Sequence, residues 1–213
     1  VEQQGQIRKK TMLQQLNDEL MGVVEQARRG LVRISNGSGG NGAGTIWHPQ
    51  GLIVTNAHVV AQYTGRGVAV NRVLNVTLPD ERTLPAQVLA FDPERDLAAL
   101  SVMADDLPTI ELGSSRPPEP GEWVMAVGHP WGVEGAVTGG IVIGVITGLP
   151  DFPNNPHDWI AVGAHMRPGH SGGPLVDVQG RLVGINTMIA GPDVGLAVPL
   201  QAVKAFLKRE LTR

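Results

Sequence analysis

Residues 169–174 read Gly169-His170-Ser171-Gly172-Gly173-Pro174, a glycine-packed turn around one hydroxyl. A serine hydroxyl is a poor nucleophile near neutral pH, so to attack a carbonyl it needs a base for its proton and donors for the oxyanion that forms. The glycines answer the second need, because without side chains the backbone turns sharply and brings the N–H groups of Gly169 and Ser171 to a carbonyl oxygen. The string also satisfies G-x-S-x-G, the nucleophile elbow of α/β-hydrolases, but that fold places its acid and its histidine after the serine. No histidine follows Ser171 in this chain, which removes the elbow. An order of acid, histidine, serine fares no better: the sole aspartate ahead of His58 is Asp18, within a stretch of helical periodicity. What survives is histidine, then acid, then serine.

The first two members are legible from their surroundings. Residues 51–60 run from an apolar strand into a short turn that presents His58. Imidazole titrates near neutrality, so it can take the serine proton and return it to the leaving group. Asp96 closes the turn Phe91-Asp92-Pro93-Glu94-Arg95-Asp96 and stands at the mouth of the apolar run Leu97-Ala98-Ala99-Leu100. An acid there accepts the Nδ1 proton of His58, fixes its tautomer and stabilises the imidazolium. Asp92, Asp105 and Asp106 read as solvated turn residues, and His48 and His129 as turn histidines without a catalytic part.

Composition narrows the remaining options. The 213 residues can bury a substantial core, and 42% apolar with 17% charged residues is ordinary for a globular chain. Gly 28 and Pro 16 favour many turns and short strands. A net charge of −3 without a basic run argues against a nucleic-acid partner, and no stretch is apolar enough to span a bilayer. With no cysteine, disulfides and thiol catalysis are excluded. The first residue is Val1 rather than Met, from which a removed upstream segment is expected. Apolar spacing predicts an amphipathic helix over residues 7–29, with a stripe of Met12, Leu16, Leu20 and Val23. Strands follow at 31–35, 45–47, 73–78 and 83–89, and a short helix at 199–209.

The same residues, in order, resemble trypsin-like serine proteases of the HtrA/Deg type. The carriers are Thr55-Asn56-Ala57-His58-Val59-Val60, Asp92-Pro93-Glu94-Arg95-Asp96-Leu97-Ala98, Ala126-Val127-Gly128-His129-Pro130-Trp131-Gly132 and Val137-Thr138-Gly139-Gly140-Ile141-Val142. To these are added the serine turn, Val183-Gly184-Ile185-Asn186-Thr187 and Gly195-Leu196-Ala197-Val198-Pro199. The resemblance implies an all-β fold of two antiparallel six-stranded β-barrels, with an N-terminal helix and a short C-terminal helix. Its expected divisions are a helical segment 1–30, a first barrel 31–112, a linker 113–120, and a second barrel with terminal helix 121–213.

It further implies a serine endopeptidase acting on unfolded proteins through His58, Asp96 and Ser171, with no cofactor and no metal. The oxyanion hole is expected from the backbone N–H groups of Gly169, His170 and Ser171. A pocket for small or medium aliphatic side chains is expected at His165, Met166, Ile185, Asn186 and Thr187, with His165 at its floor. Protein or peptide substrates, a homotrimer and an extracytoplasmic location are implied in the same way. The chain departs from the family pattern at His170, where asparagine is usual, and at residues 163–167, and it stops where the pattern continues into a PDZ domain. A catalytically silent trypsin-like module for binding or assembly is the alternative reading.

Overall fold

A capping box opens the first helix, α1 (Met12–Arg29): the Gln14 N–H donates to the Thr11 hydroxyl at 3.3 Å, and the Thr11 N–H donates to the Gln14 side chain at 2.9 Å. The helix ends at Gly30, where a Cβ would lie 2.4 Å from the Ile110 side chain. The expected apolar stripe divides along its length. Leu20, Val23 and Val24 pack on the body around the buried Ala27, whereas Met12, Leu13, Leu16 and Met21 are exposed.

The computed structural model describes residues 10–35, 41–64, 67–70, 74–114, 116–148 and 155–212. The helix start expected at Ile7, residues 36–40 of the glycine-rich connection, Val73 and Ser115 lie outside the described residues.

The first half contributes β1 (Leu31–Ser35), β2 (Asn41–His48), β3 (Leu52–Thr55), a single helical turn α2 (Ala57–Val60), β4 (Ala61–Thr64), β5 (Gly67–Val70), β6 (Leu74–Thr77), β7 (Thr83–Asp92) and β8 (Leu97–Val102). The second contributes β9 (Trp123–Gly128), β10 (Ala136–Thr147), β11 (Asp158–Gly163), β12 (Pro174–Asp177), β13 (Leu182–Gly191), β14 (Val194–Pro199) and α3 (Leu200–Leu211). These strands close into two six-stranded antiparallel barrels, in the orders β1-β2-β3-β8-β7-β6 and β10-β11-β14-β13-β12-β9, while β4 and β5 form a separate hairpin. Closure leaves neither barrel with a free edge. The strand β7 reaches Asp92, three residues past its expected end, because a bulge between Val88 and Ala90 breaks the period-two pattern from which an end is read. Among the described residues no helix is long and apolar enough to cross a membrane.

One apolar cluster fills the first barrel around Val32, Ile34, Ile46, Ile53 and Leu100. Another fills the second around Val124, Ile160, Val162 and Leu175. A third joins the two, running from Leu31, Val54 and Ala99 to Val127, Trp159 and Ile185, and on to Phe206 of α3. Fully burying one such large side chain is worth about 1.5–3 kcal/mol, so this shared core holds the barrels in a fixed relation.

Main chain completes the joint. The Ala43 N–H in β2 donates to Ser171 O at 2.8 Å, and Thr45 Oγ1 donates to Gly172 O at 3.3 Å. Gly172 itself has φ +84, and a Cβ there would fall 2.1 Å from Ala43 O and 2.2 Å from Thr55 Oγ1. The left-handed backbone costs an L-residue roughly 1–2 kcal/mol and overpacking typically about 1–3 kcal/mol more. Gly172→Ala is therefore expected to destabilise the fold by about 3 kcal/mol or more, read from the urea midpoint; an unchanged midpoint would mean that the barrels are not registered through this contact.

Candidate active site

His58 reaches its place because β3 ends at Thr55 and Asn56, in extended conformation, turns the chain into α2. The Asn56 side chain is fully buried and donates to Asp96 O at 2.9 Å, which ties the start of that turn to the acid-bearing turn. Asp96 is 6% exposed and has φ +51. Its Oδ1 accepts the main-chain N–H of His58 at 3.0 Å, and its Oδ2 lies 2.8 Å from His58 Nδ1. An ionised carboxylate has no proton to give, so Nδ1 carries the hydrogen and Nε2 is left as the acceptor of the neutral ring. Two contacts to one residue thereby fix the orientation and the tautomer of the imidazole.

Thr187 on β13 links this pair to the serine. Its hydroxyl donates to Asp96 Oδ2, and its carbonyl accepts the Ser171 hydroxyl at 2.8 Å. Among the described residues no hydrogen bond joins Ser171 Oγ to His58 Nε2. Catalytic contacts are commonly loose without substrate.

The serine turn is held from several directions. Gly169, with φ +105, has no room for a side chain: a Cβ would lie 2.7 Å from both His129 O and Pro130 Cα. Its carbonyl accepts the His129 N–H at 2.8 Å. Gly172 N–H donates to Asn186 O at 2.8 Å and Asn186 N–H to Gly173 O at 2.9 Å. Of the three N–H groups expected at an oxyanion hole, that of His170 is already spent on Arg167 O at 3.0 Å. Those of Gly169 and Ser171 have no hydrogen-bond partner among the described residues.

The His170 side chain turns inward, 4% exposed, with Nδ1 at 3.1 Å from both the N–H and the carbonyl of Arg167. Its Nε2 is buried without a partner among the described residues. Burial pushes the His170 imidazole below its ordinary value, and the Arg167 charge adds to this against the opposing contact with the Arg167 main chain. His129 is lowered as well, chiefly by burial, with Arg33 adding to the effect and Val32 O and Glu134 opposing it.

The residues expected at a substrate pocket are arranged differently from one another. The His165 side chain is half exposed and pairs with Asp193 at 2.8 Å, so it is not sunk in a pocket floor. Met166 is buried against Gly195, where a Cβ would meet its sulfur at 2.5 Å. The side chains of Ile185 and Asn186 are fully buried, Asn186 donating to Val127 O and Pro174 O, and that of Thr187 is turned onto Asp96. Any wall that this part of β13 offers to a substrate is main chain.

Two features escaped the sequence reading. Thr187 was expected in the pocket, and its hydroxyl instead serves the acid. Asp92 was expected in solvent; it is 6% exposed and ion-paired to Arg95 at 2.9 Å and to Arg209 at 2.7 Å. The Asp-Pro pair does signal a turn anchored by the aspartate side chain, but nothing local points to Arg209.

Residues 42–185 match the family model of the trypsin-like peptidase domain. The chain belongs to the trypsin-like peptidase family. Within that family its similarity is to the HtrA type. It is 34% identical over 175 residues to the mitochondrial serine protease HTRA2 of Drosophila willistoni, covering 81% of this chain and 39% of the relative. The putative serine protease HhoB of Synechocystis sp. is 35% identical over 178 residues, covering 82% of this chain and 41% of the relative. The chain thus spans about two fifths of the length of the curated relatives it matches. The solved structure of the HtrA-type protease AlgW with a decapeptide superposes with a TM-score of 0.79 at 27% identity, covering 91% of this chain and 68% of AlgW.

The two histidines whose protonation burial disfavours, His129 and His170, have a consequence for pH. Their folded values lie below the 6.5 of a free imidazole, so on acidification the unfolded chain takes up protons first. Stability is fully present above that value and is lost as pH falls beneath it, by up to about 1.4 kcal/mol per pH unit for each such histidine. Urea midpoints are expected to drop between about pH 7.5 and about pH 5, and His170→Asn to flatten the drop; an equal slope in that variant would place the linkage elsewhere.

Proposed function

We propose that this chain is a serine endopeptidase acting on unfolded proteins, with His58, Asp96 and Ser171 as its catalytic residues. The observation that carries this reading is the run of contacts from His58 through Asp96 and Thr187 to Ser171, which joins groups from both barrels at their interface. In this mechanism the Ser171 hydroxyl swings from Thr187 O to His58 Nε2 and attacks the substrate carbonyl as His58 takes its proton. Asp96 steadies the imidazolium, and the N–H groups of Gly169 and Ser171 hold the oxyanion. His58 then protonates the departing amine, and a water activated by the same ring hydrolyses the acyl-enzyme.

A preference for small or medium aliphatic side chains fits Met166 closed against Gly195 and the pairing of His165 away from a pocket floor. A location outside the cytoplasm goes with the HtrA-type reading, and cell fractionation with an antibody to the chain checks it. Wild-type protein is expected to label with a fluorophosphonate and to cut a denatured substrate after aliphatic residues. Ser171→Ala should lose both activities with its melting temperature preserved, and Asp96→Asn should lose on the order of a thousandfold or more in kcat. Absence of labelling in the wild type would favour a silent binding module, and cuts mainly after Lys or Arg would overturn the pocket reading.

For assembly we propose a homotrimer. Support comes from Met12, Leu13, Leu16 and Met21, large apolar side chains left exposed on α1. Sedimentation of the full chain should give three times the monomer mass, and Leu13→Asp with Leu16→Asp should reduce it; a monomeric wild type would remove the proposal.

A further inference from the structure

The turn that presents Asp96 is four residues long, Pro93 to Asp96, between Asp92 and Leu97, which are paired across the β7–β8 hairpin. Asp96 holds φ +51 there, a conformation that L-residues take when their surroundings impose it. The imposing contacts begin at Asp92. Its Oδ1 accepts the N–H groups of Glu94 and Arg95, each at 3.1 Å. Its Oδ2 accepts Arg95 Nη1 at 2.9 Å and Arg209 Nη2 at 2.7 Å.

Arg209 sits on α3, after the last strand of the second barrel, and its Nε is held by Glu210 at 2.7 Å. A further tether comes from the same half: the Asn155 side chain donates to Glu94 O at 3.1 Å. By sequence the turn belongs to the first barrel, yet it is fastened to the second, and the carboxylate it presents also receives Thr187 from there. The Asp92 carboxylate is 7% exposed, so Arg209 and Arg95 compensate a nearly buried charge, unlike an exposed ion pair. Burial alone would raise Asp92; the hydrogen bonds from Arg209 and Arg95 outweigh it and hold the group below its ordinary value.

We infer that Asp92 and Arg209 are positioning residues for the reaction: their ion pair fastens the Asp96 turn to α3, and so aligns the acid of the first barrel with the serine supplied by the second. This rests on the catalytic reading above. Neither residue touches the reacting atoms; both act through Asp96.

The test is steady-state peptidase kinetics and fluorophosphonate labelling across pH for the wild type, Arg209→Gln, Arg209→Lys, Asp92→Asn and the double variant, with Asp96→Asn as reference. Arg209→Gln is expected to lower kcat by about tenfold with KM within about twofold, since alignment of the reacting groups is lost and substrate contacts are not. The acid limb of kcat/KM should move to lower pH, because a poorly seated Asp96 stabilises the His58 imidazolium less and the neutral ring persists further into acid. Arg209→Lys should recover part of the rate, and the double variant should lose less than the product of the two single losses. A lowered melting temperature with kcat and the acid limb unchanged would make the pair structural and overturn the inference. Should Asp92→Asn fail to fold, the half-exposed Arg209 decides the matter through its two variants. If Asp96→Asn keeps wild-type turnover, the catalytic reading fails and takes this inference with it, an outcome distinct from the previous one.

Discussion

The missing side chain of Gly172 sets the register of everything around it. Ala43 O and Thr55 Oγ1 occupy the space that a Cβ would need, and Thr55 Oγ1 donates to Ala43 O at 2.7 Å. The serine turn therefore lies directly on β2, with the Ala43 N–H bonded to Ser171 O. Since β2 pairs with β3, and β3 ends at the residue before Asn56 and α2, the same few atoms that seat Ser171 also fix where His58 begins. Main-chain contact of this kind is shorter and stiffer than contact through side chains, which suits a site assembled from two separately closed barrels.

Buried polarity follows the same geography. Among the described residues the buried polar and charged ones are Thr45, Thr55, Asn56, Asp92, Asp96, His170, Asn186 and Thr187. All but Asn56 lie on the serine turn, on the acid turn, or on a strand that touches one of them, and Asn56, which leads into α2, is bonded to Asp96 O. A buried polar group costs stability unless it is hydrogen-bonded, so concentrating these groups in one place leaves the barrel interiors free to pack with Val, Ile and Leu. The apolar fill keeps each barrel rigid, and the polar seam orients side chains between them.

Local chemistry carried the sequence reading as far as chemistry stays local. The order of His58, Asp96 and Ser171, the glycine turn and the strand ends beside each could be read from neighbouring residues, and the two barrels from a resemblance spread along the chain. Side-chain direction on β13 could not. A register shift between Asn186 and Ile189 breaks the alternation that would have told inward from outward, and the resemblance alone implied a pocket position for Thr187. The resemblance implied His165 at a pocket floor, whereas its partner Asp193 stands in the β13–β14 turn, 28 residues away. Arg209 lies 117 residues from Asp92, a separation over which composition and periodicity carry no information.

In the proposed mechanism the one hydroxyl hydrogen of Ser171 has two acceptors to choose between, Thr187 O, which it bonds at 2.8 Å, and His58 Nε2, which makes the hydroxyl a reporter of its base. A neutral His58 offers a lone pair on Nε2 that competes with Thr187 O for that hydrogen; an imidazolium offers none. With the ring protonated the hydroxyl rests on the carbonyl, aimed along β13, and its oxygen is the weaker nucleophile for having no base beside it. The rotamer of a single side chain and the charge of another are then two readings of one equilibrium. A spectroscopic probe of either would follow both.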